Sequence, residues 1–499
     1  MNLEVEMNYI LAIDQGTTGT TAVLIDEFLN IKSKVNVEYK QIYPNMGWVE
    51  HNPKDIWNSV EESIIKLIEK ANINTKEIKA IGITNQRETV TIWNKFTGRA
   101  YHNFIVWQDR RTADYCSMMK GKGYEKLISE KTGLLLDPYF SGTKIRWILK
   151  NVKEAQNASL RKEAIAGTID TFLVYNLTNK KVHVTDVSNA SRTLLMDLKS
   201  LDWDTQLCEL LEVPISLLPK ISSSSEVYGY TSGLSFLPDG IPISGIAGDQ
   251  QAALFGQACF KQGEAKATYG TGSFILMNTG DKIVHSKNRL LTTVAWKIGD
   301  KVTYALEGSA FIAGALVQWI RDEMDFIKDA AEIEKLASTV ENNGGVVIIP
   351  SLTGMGAPYW RADLQGMIYG ISRNTSRAHI ARAALEAIAL QNYDLLKAME
   401  KDTDLKLLNL KVDGGASLNN LLMQFQSDIL DVKLSRPDFI ETTALGAALL
   451  AGLSIGLFKN LDDIKKRWKL NQQYTPNQNN YVQETLDRYK LVIRKILTH

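Results

Sequence analysis

Three short stretches carry side chains that could do chemistry. "DQGTTGTT", residues 14–21, sets one carboxylate, two glycines and four threonines between the apolar runs "YILAI" and "AVLID". A hairpin turn needs only one or two residues of positive φ, so this loop carries more polar groups than turning requires. A Gly-rich turn exposes successive backbone N–H groups, which form an anion-binding concavity without lysine. Threonine hydroxyls add donors of similar reach, and Asp14 at the strand end could hold a hydrated Mg²⁺. Taken alone, the stretch is either a phosphate loop or a decorated hairpin.

"GITNQRETV" ends a strand on the adjacent ions Arg87 and Glu88. A continuing strand would send them to opposite faces, so the turn geometry matters. A charged donor beside a charged acceptor suits a small polyol, whose hydroxyls both give and accept hydrogen bonds. The competing reading is a surface ion pair of little energetic worth. In "IPISGIAGDQQAALFGQ" (241–257) an apolar strand runs into a helix of small residues. Asp249 then lies at a strand's C-terminal end, where α/β sheets bind ligands. Its carboxylate could take a proton from a substrate hydroxyl, or it could cap the helix.

Later glycine clusters repeat the theme. "YGTGS" (269–273) doubles the first loop, and a nucleoside triphosphate held between two domains needs donors from both. "LKVDGGASLNN" (410–420) is a strand, an acidic Gly-Gly turn and a helix start. "LEGSAFIAGALVQW" (306–319) places Gly314 and Gln318 four apart on one helix face.

The elements that must position these groups follow from periodicity. The spacing predicts strands over 8–14 and 21–26 about a turn at 15–20, then a third strand in "KSKVNVEY". "NPKDIWNSVEESIIKLIEKA" has an Asn/Pro start and apolar residues three and four apart, so it is predicted as a helix, with "IKAIGIT" a buried strand after it. Past residue 240 the order returns: strand, Gly/Thr turn and strand in "GEAKATYGTGSFILMNTG", further strands in "LTTVAWKI" and "VTYALEG", and a helix in "AFIAGALVQWIRDEM". The weak echo between the two halves implies two related domains facing each other, joined near 253–263. Two unrelated domains that each open with a hairpin would give the same pattern.

Composition narrows the class. The 499 residues exceed one compact core, and 44% apolar with 23% charged residues is an ordinary globular profile. With 57 basic and 56 acidic side chains, nothing points to nucleic acid or a membrane surface. Three unpaired cysteines fit a reducing compartment, and the N-terminus lacks a basic signal-like region, so a cytoplasmic location is expected. The uncharged run 442–458 is short for a membrane span and suits a close-packed internal helix, which makes its "GLSIG" an accidental match to a nucleophile elbow.

The ordered set "DQGTTGTT", "NQRET", "VWQDRR", "DPYFSGTKIRWILKN", "GDQQAALFGQ", "TYGTGSF", "GSAFIAGALVQW" and "VDGGASLNNLLMQFQSDIL" spans nearly the whole chain. It resembles the FGGY carbohydrate kinases, and among them the members that phosphorylate glycerol. The resemblance implies an α/β protein of two actin-like ATPase (ribonuclease-H-like) domains with a ligand cleft between them, residues 1–255 binding the polyol and 256–499 the nucleotide. It implies ATP-dependent phosphorylation of glycerol to sn-glycerol 3-phosphate, the first step of glycerol catabolism, with ATP and Mg²⁺ required. Arg87, Glu88, Tyr139, Asp249 and Gln250 match residues that bind the hydroxyls, and Trp107 and Phe274 match those lining the carbon backbone. Asp249 would be the general base. Thr17, Thr18, Gly19, Thr271, Gly314, Gln318, Gly415 and Asn419 match nucleotide-binding positions, and Asp14 would sit near Mg²⁺ through water. A homo-oligomer, dimer or tetramer, is also implied, with neither nucleic acid nor membrane insertion.

The resemblance has departures. Thr21 stands where many bacterial relatives have an arginine, and residues 228–240, "YGYTSGLSFLPDG", lack both the arginine run tied to fructose 1,6-bisphosphate inhibition and the histidine modified by phosphotransferase systems. A catalytic core without those two controls is expected.

Overall fold

A computed structural model describes residues 8–361, 363–439, 441–477 and 479–498. The reading of the extreme N-terminus falls on residues 1–7, outside those described.

The chain opens with β1 (Tyr9–Gln15), β2 (Gly19–Asp26) and β3 (Ile31–Glu38), an antiparallel meander. Helix α1 (Pro53–Ala71) follows. Asn52 accepts from the Lys54 amide at its start, and Ile56, Val60, Ile64 and Leu67 form one buried stripe. Strand β4 (Ile78–Asn85) then lies parallel to β1. Residues 86–224 form an insertion of short helices and strands that carries Trp107, Tyr139 and Arg192. The first sheet closes with β5 (Ser225–Tyr230) and β6 (Pro242–Gly248), in the order β5-β6-β4-β1-β2-β3, and β6 leads into α2 (Asp249–Gly256).

The second half builds β7 (Glu264–Tyr269), β8 (Ser273–Gly280), β9 (Leu291–Ile298) and β10 (Lys301–Ala310). Helices α3 (Gly314–Asp322) and α4 (Arg377–Thr403) follow, then β11 (Asn409–Asp413), α5 (Asn420–Leu430), β12 (Leu434–Pro437), α6 (Thr442–Ser454) and β13 (Leu470–Tyr474). Its sheet order is β9-β10-β8-β7-β11-β12-β13.

The echo read from sequence is a repeat of topology. In each sheet three antiparallel strands continue into two parallel ones, β3-β2-β1-β4-β6 in the first and β10-β8-β7-β11-β12 in the second. A helix follows the fifth strand in both, α2 and α6, and these two helices pack on each other. Their approach needs glycine, since a Cβ on Gly446 would lie 1.8 Å from the Ala252 carbonyl oxygen. Helix α6 also rests on the first sheet, where Ser225 Oγ and Ser244 Oγ donate to the carbonyls of Leu450 and Ala451. The run from 442 is therefore an internal helix, as its small residues predict. "GLSIG" spans its C-terminal end, and Ser454 makes no side-chain hydrogen bond among the described residues.

The helix expected over 310–324 is shorter, starting only at Gly314. Strand β10 continues to Ala310, and the Gly270 and Thr271 carbonyls accept from the amides of Ala313, Gly314 and Ala315. Those long-range bonds fix the helix start against the second glycine loop.

Candidate active site

The first loop is rigidly held. Its turn closes through the Gly16 amide and the Gly19 carbonyl at 2.9 Å. The Gly16 carbonyl accepts from Gln15 Nε2, Gln86 Nε2 and the Tyr39 hydroxyl, and the Thr17 carbonyl from Gln41 Nε2. With the carbonyls engaged, the amides of Thr17 and Thr18 have no partner among the described residues. Donors pointed outward and acceptors tied inward make a site for an anion, so the phosphate-loop alternative fits this geometry better than decoration. Asp14, at the end of β1, is half-buried, and its carboxylate takes no hydrogen bond among the described residues. Burial and then the negative charges of Asp249 and Glu441 push its pKa up to about 7.

The second loop mirrors the first. The Gly270 amide donates to the Gly272 carbonyl, and Thr271 is exposed. Gly314 sits directly beneath, where a Cβ would come within 2.7 Å of the Gly270 oxygen. Gln318 is exposed one turn along α3, and Gly415 faces open space. Asn419 has a structural duty as well, since its side-chain oxygen caps α5 by accepting from the Leu422 amide. No hydrogen bond among the described residues joins Thr17, Thr18 or Gly19 to Thr271, Gly314, Gln318, Gly415 or Asn419.

The expected polyol residues other than Phe274, which lies on β8, are drawn together around the ends of β4 and β6. Arg87 and Glu88 are 2% and 1% exposed, so they are no surface pair. Glu88 adopts φ 61°, an uncommon conformation for a residue with a Cβ. Ser141 Oγ and Lys144 Nζ hold it by donating to its carbonyl at 3.0 and 3.3 Å. Burial brings the pKa of Lys144 down to about 7. The Arg87 Nε lies 3.1 Å from Asp249 Oδ1 and its Nη2 donates to the Tyr139 hydroxyl at 3.5 Å. Tyr139 stands edge-on to Trp107 with ring centroids 5.8 Å apart, and the Trp107 indole N–H donates to Thr17 Oγ1 at 3.0 Å.

Asp249 is the first residue of α2, and the helix has no side-chain cap. Its Oδ1 accepts from the Gln250 amide and pairs with Arg87, while Oδ2 takes no bond from any described residue. A carboxylate anchored through one oxygen presents the other for proton transfer. Gln250 Oε1 accepts from Lys266 Nζ, which also donates to Thr268 Oγ1. Burial lowers the Lys266 pKa to about 8. Phe274 pairs with Thr268 and Ser309, so it shares one sheet face with Lys266 and Glu307.

Two residues here were not singled out from sequence. Glu307 accepts from Arg87 Nη2 at 3.0 Å and Arg192 Nη2 at 2.9 Å, and also from Arg87 Nη1; Arg192 Nε donates to Glu88 Oε1 at 2.6 Å. Burial alone would raise the Glu307 pKa, but the guanidiniums of Arg192 and Arg87 outweigh it and hold it at about 2. The available signal was a lone acid inside the apolar strand "VTYALEG". Its partners lie 220 and 115 residues away in the chain. Among the described residues, no group of three or more His, Cys, Asp or Glu side chains could hold a metal ion.

Comparison with known proteins identifies the family. Residues 9–256 match the N-terminal domain of the FGGY family of carbohydrate kinases, and 265–455 match the C-terminal domain. Glycerol kinase 2 of Thermotoga maritima is 54% identical over 96% of this chain and 97% of its own length. Glycerol kinase of Paraburkholderia phytofirmans is 53% identical over 97% of both. The crystal structure of Plasmodium falciparum glycerol kinase with ADP superposes with a TM-score of 0.93 at 38% identity, covering 98% of each chain. The chain belongs to the FGGY family of carbohydrate kinases.

Proposed function

We propose that this protein transfers the γ-phosphoryl group of ATP to glycerol, giving sn-glycerol 3-phosphate and ADP, as the first step of glycerol breakdown. One observation carries the reading: Asp249 is anchored to Arg87 through Oδ1, with no described residue bonding Oδ2, beside Tyr139 and Gln250. A three-carbon triol presents hydroxyls that both donate and accept, which matches an Arg–Glu–Tyr–Asp–Gln lining.

The roles follow. Arg87 and Glu88 hold two hydroxyls, and Trp107 and Phe274 flank the carbon chain. Asp249 Oδ2 takes the proton of the third hydroxyl as its oxygen bonds to the γ-phosphorus and the bond from that phosphorus to the β–γ bridging oxygen breaks. The amides and hydroxyls of the 16–19 loop, with Thr271 opposite, hold the phosphates in line, since phosphoryl transfer depends mostly on positioning and charge. Gly314, Gln318, Gly415 and Asn419 form the wall for the rest of the nucleotide.

Asp14 fits Mg²⁺: a hard oxygen donor without a hydrogen-bond partner among the described residues, whose negative charge is opposed by burial and by Asp249. When bound through water there, Mg²⁺ would neutralise charge on the phosphate oxygens. We place the division between the two domains at residues 255 and 256, the end of α2, and the chain in the cytoplasm as a homo-oligomer. Among the described residues no helix is long and apolar enough to cross a membrane, and the three cysteines are free and buried.

The test is a panel of small polyols with Mg-ATP, following ADP release and the phosphorylated product. Glycerol should be turned over most efficiently. Preferential turnover of a four-carbon polyol, or ADP release without a phosphorylated alcohol, would overturn the assignment.

A further inference from the structure

Arg87 and Glu88 are neighbours in sequence, yet Arg87 Nε is 3.8 Å from Glu88 Oε1. Each instead closes through residues distant in the chain. Arg87 puts both terminal nitrogens on Glu307, and Glu88 is held by Arg192, which also reaches Glu307. All four side chains are at most 2% exposed. Two guanidiniums and two carboxylates cancel in charge, as a buried cluster requires. The bidentate contact matters more than the charge. A planar guanidinium with both terminal nitrogens fixed has no freedom left about its plane. Arg87 Nε is thereby directed to Asp249 at 3.1 Å and the free side of Nη2 to Tyr139. The Arg192 guanidinium is in turn stacked near the rings of Tyr139 and Phe140, 5.6 and 5.3 Å from their centroids.

We propose that Glu307 is a positioning residue for the polyol site: from the second sheet it orients Arg87 directly and Glu88 through Arg192. The inference rests on the polyol reading above and deepens it. It makes glycerol affinity depend on how the two sheets are set, because Arg87 and Glu88 directly follow β4 of the first sheet and the acid that aligns them belongs to β10 of the second. Separation of the sheets would release Arg87 from Glu307 and loosen the grip.

The test uses the full chain carrying Glu307→Gln, Glu307→Asp or Arg192→Lys. Glycerol binding is measured by calorimetry without nucleotide, beside KM for glycerol and for ATP. Glu307→Gln should weaken glycerol about 10- to 100-fold, the scale of a lost charged hydrogen bond, with KM for ATP within about twofold. Glu307→Asp, which keeps the charge and shortens the reach, should fall between it and the wild type. Arg192→Lys should also weaken glycerol, since one ammonium cannot hold both carboxylates in a plane; it decides the matter if Glu307→Gln does not fold. A purely structural cluster would lower the unfolding temperature and leave glycerol affinity of the folded variants unchanged, and that result would overturn the proposal. Failure of the wild-type chain to bind glycerol would overturn the polyol reading and this inference with it, whereas normal wild-type binding with unaltered variants would sink this inference alone.

Discussion

The indole N–H of Trp107 donates to the hydroxyl of Thr17 at 3.0 Å, tying the wall of the proposed polyol pocket to the proposed phosphate loop. The two residues come from different elements, and the bond sets both in one frame. A hydrogen bond of this kind contributes about 1 kcal/mol net, so Thr17→Val should raise KM for glycerol and for ATP together by about 3- to 10-fold. Thr17→Ser, which keeps the hydroxyl, should stay near wild type. A change in the ATP constant alone would deny the link.

Asp249→Asn keeps the side chain's size and removes the proposed proton acceptor. Glycerol binding measured by calorimetry should persist, while kcat falls at least ~100-fold, the usual scale for a positioned general base. Near-normal turnover would remove Asp249 from that role.

Chelation of divalent cations should abolish turnover, and added Mg²⁺ should restore it. Asp14→Asn should raise the Mg²⁺ concentration giving half-maximal rate about tenfold or more, as outer-sphere partners commonly do. An unchanged Mg²⁺ requirement would place the ion elsewhere.

Asp170 is fully buried and accepts from the Thr168 and Thr185 hydroxyls at 2.5 and 2.6 Å, and burial pushes its pKa from 3.8 up to about 7. As pH rises the unfolded chain loses this proton first. Between about pH 4 and 7 the folded state therefore binds more protons, and this group's contribution to stability declines with rising pH. Asp170→Asn should gain in thermal midpoint relative to wild type on going from about pH 4 to about pH 8. Parallel midpoints at both ends would contradict the raised pKa.

Gly446→Ala places a methyl 1.8 Å from the Ala252 oxygen, against backbone rather than a flexible side chain. Forcing helices α2 and α6 apart should cost about 1–3 kcal/mol or more, read as an earlier denaturant midpoint. A stability equal to wild type would show that the helix pair tolerates separation.

Much of this was legible before any coordinates. The strands about the first loop, the capped helix from Asn52 and the buried strand to Asn85 appear within a residue or two of their periodicity, because alternation and capping are local. The candidate site residues came from motifs that cluster at strand ends. The start of α3 was misjudged, because its first amides bond to a loop some forty residues earlier in the chain.

By itself the sequence determined the two-part α/β plan and the chemistry available at each loop: bare amides, hydroxyls, one carboxylate at Asp14, another at Asp249. Tertiary structure alone decided which charges meet. Arg87 and Glu88 stand next to each other in the chain, but a left-handed turn at Glu88 and the opposing strand β10 divert them to Arg192 and Glu307. Buried ions seek whichever counter-charge packing brings within reach, and that depends on how two sheets are set against each other, which no local pattern encodes.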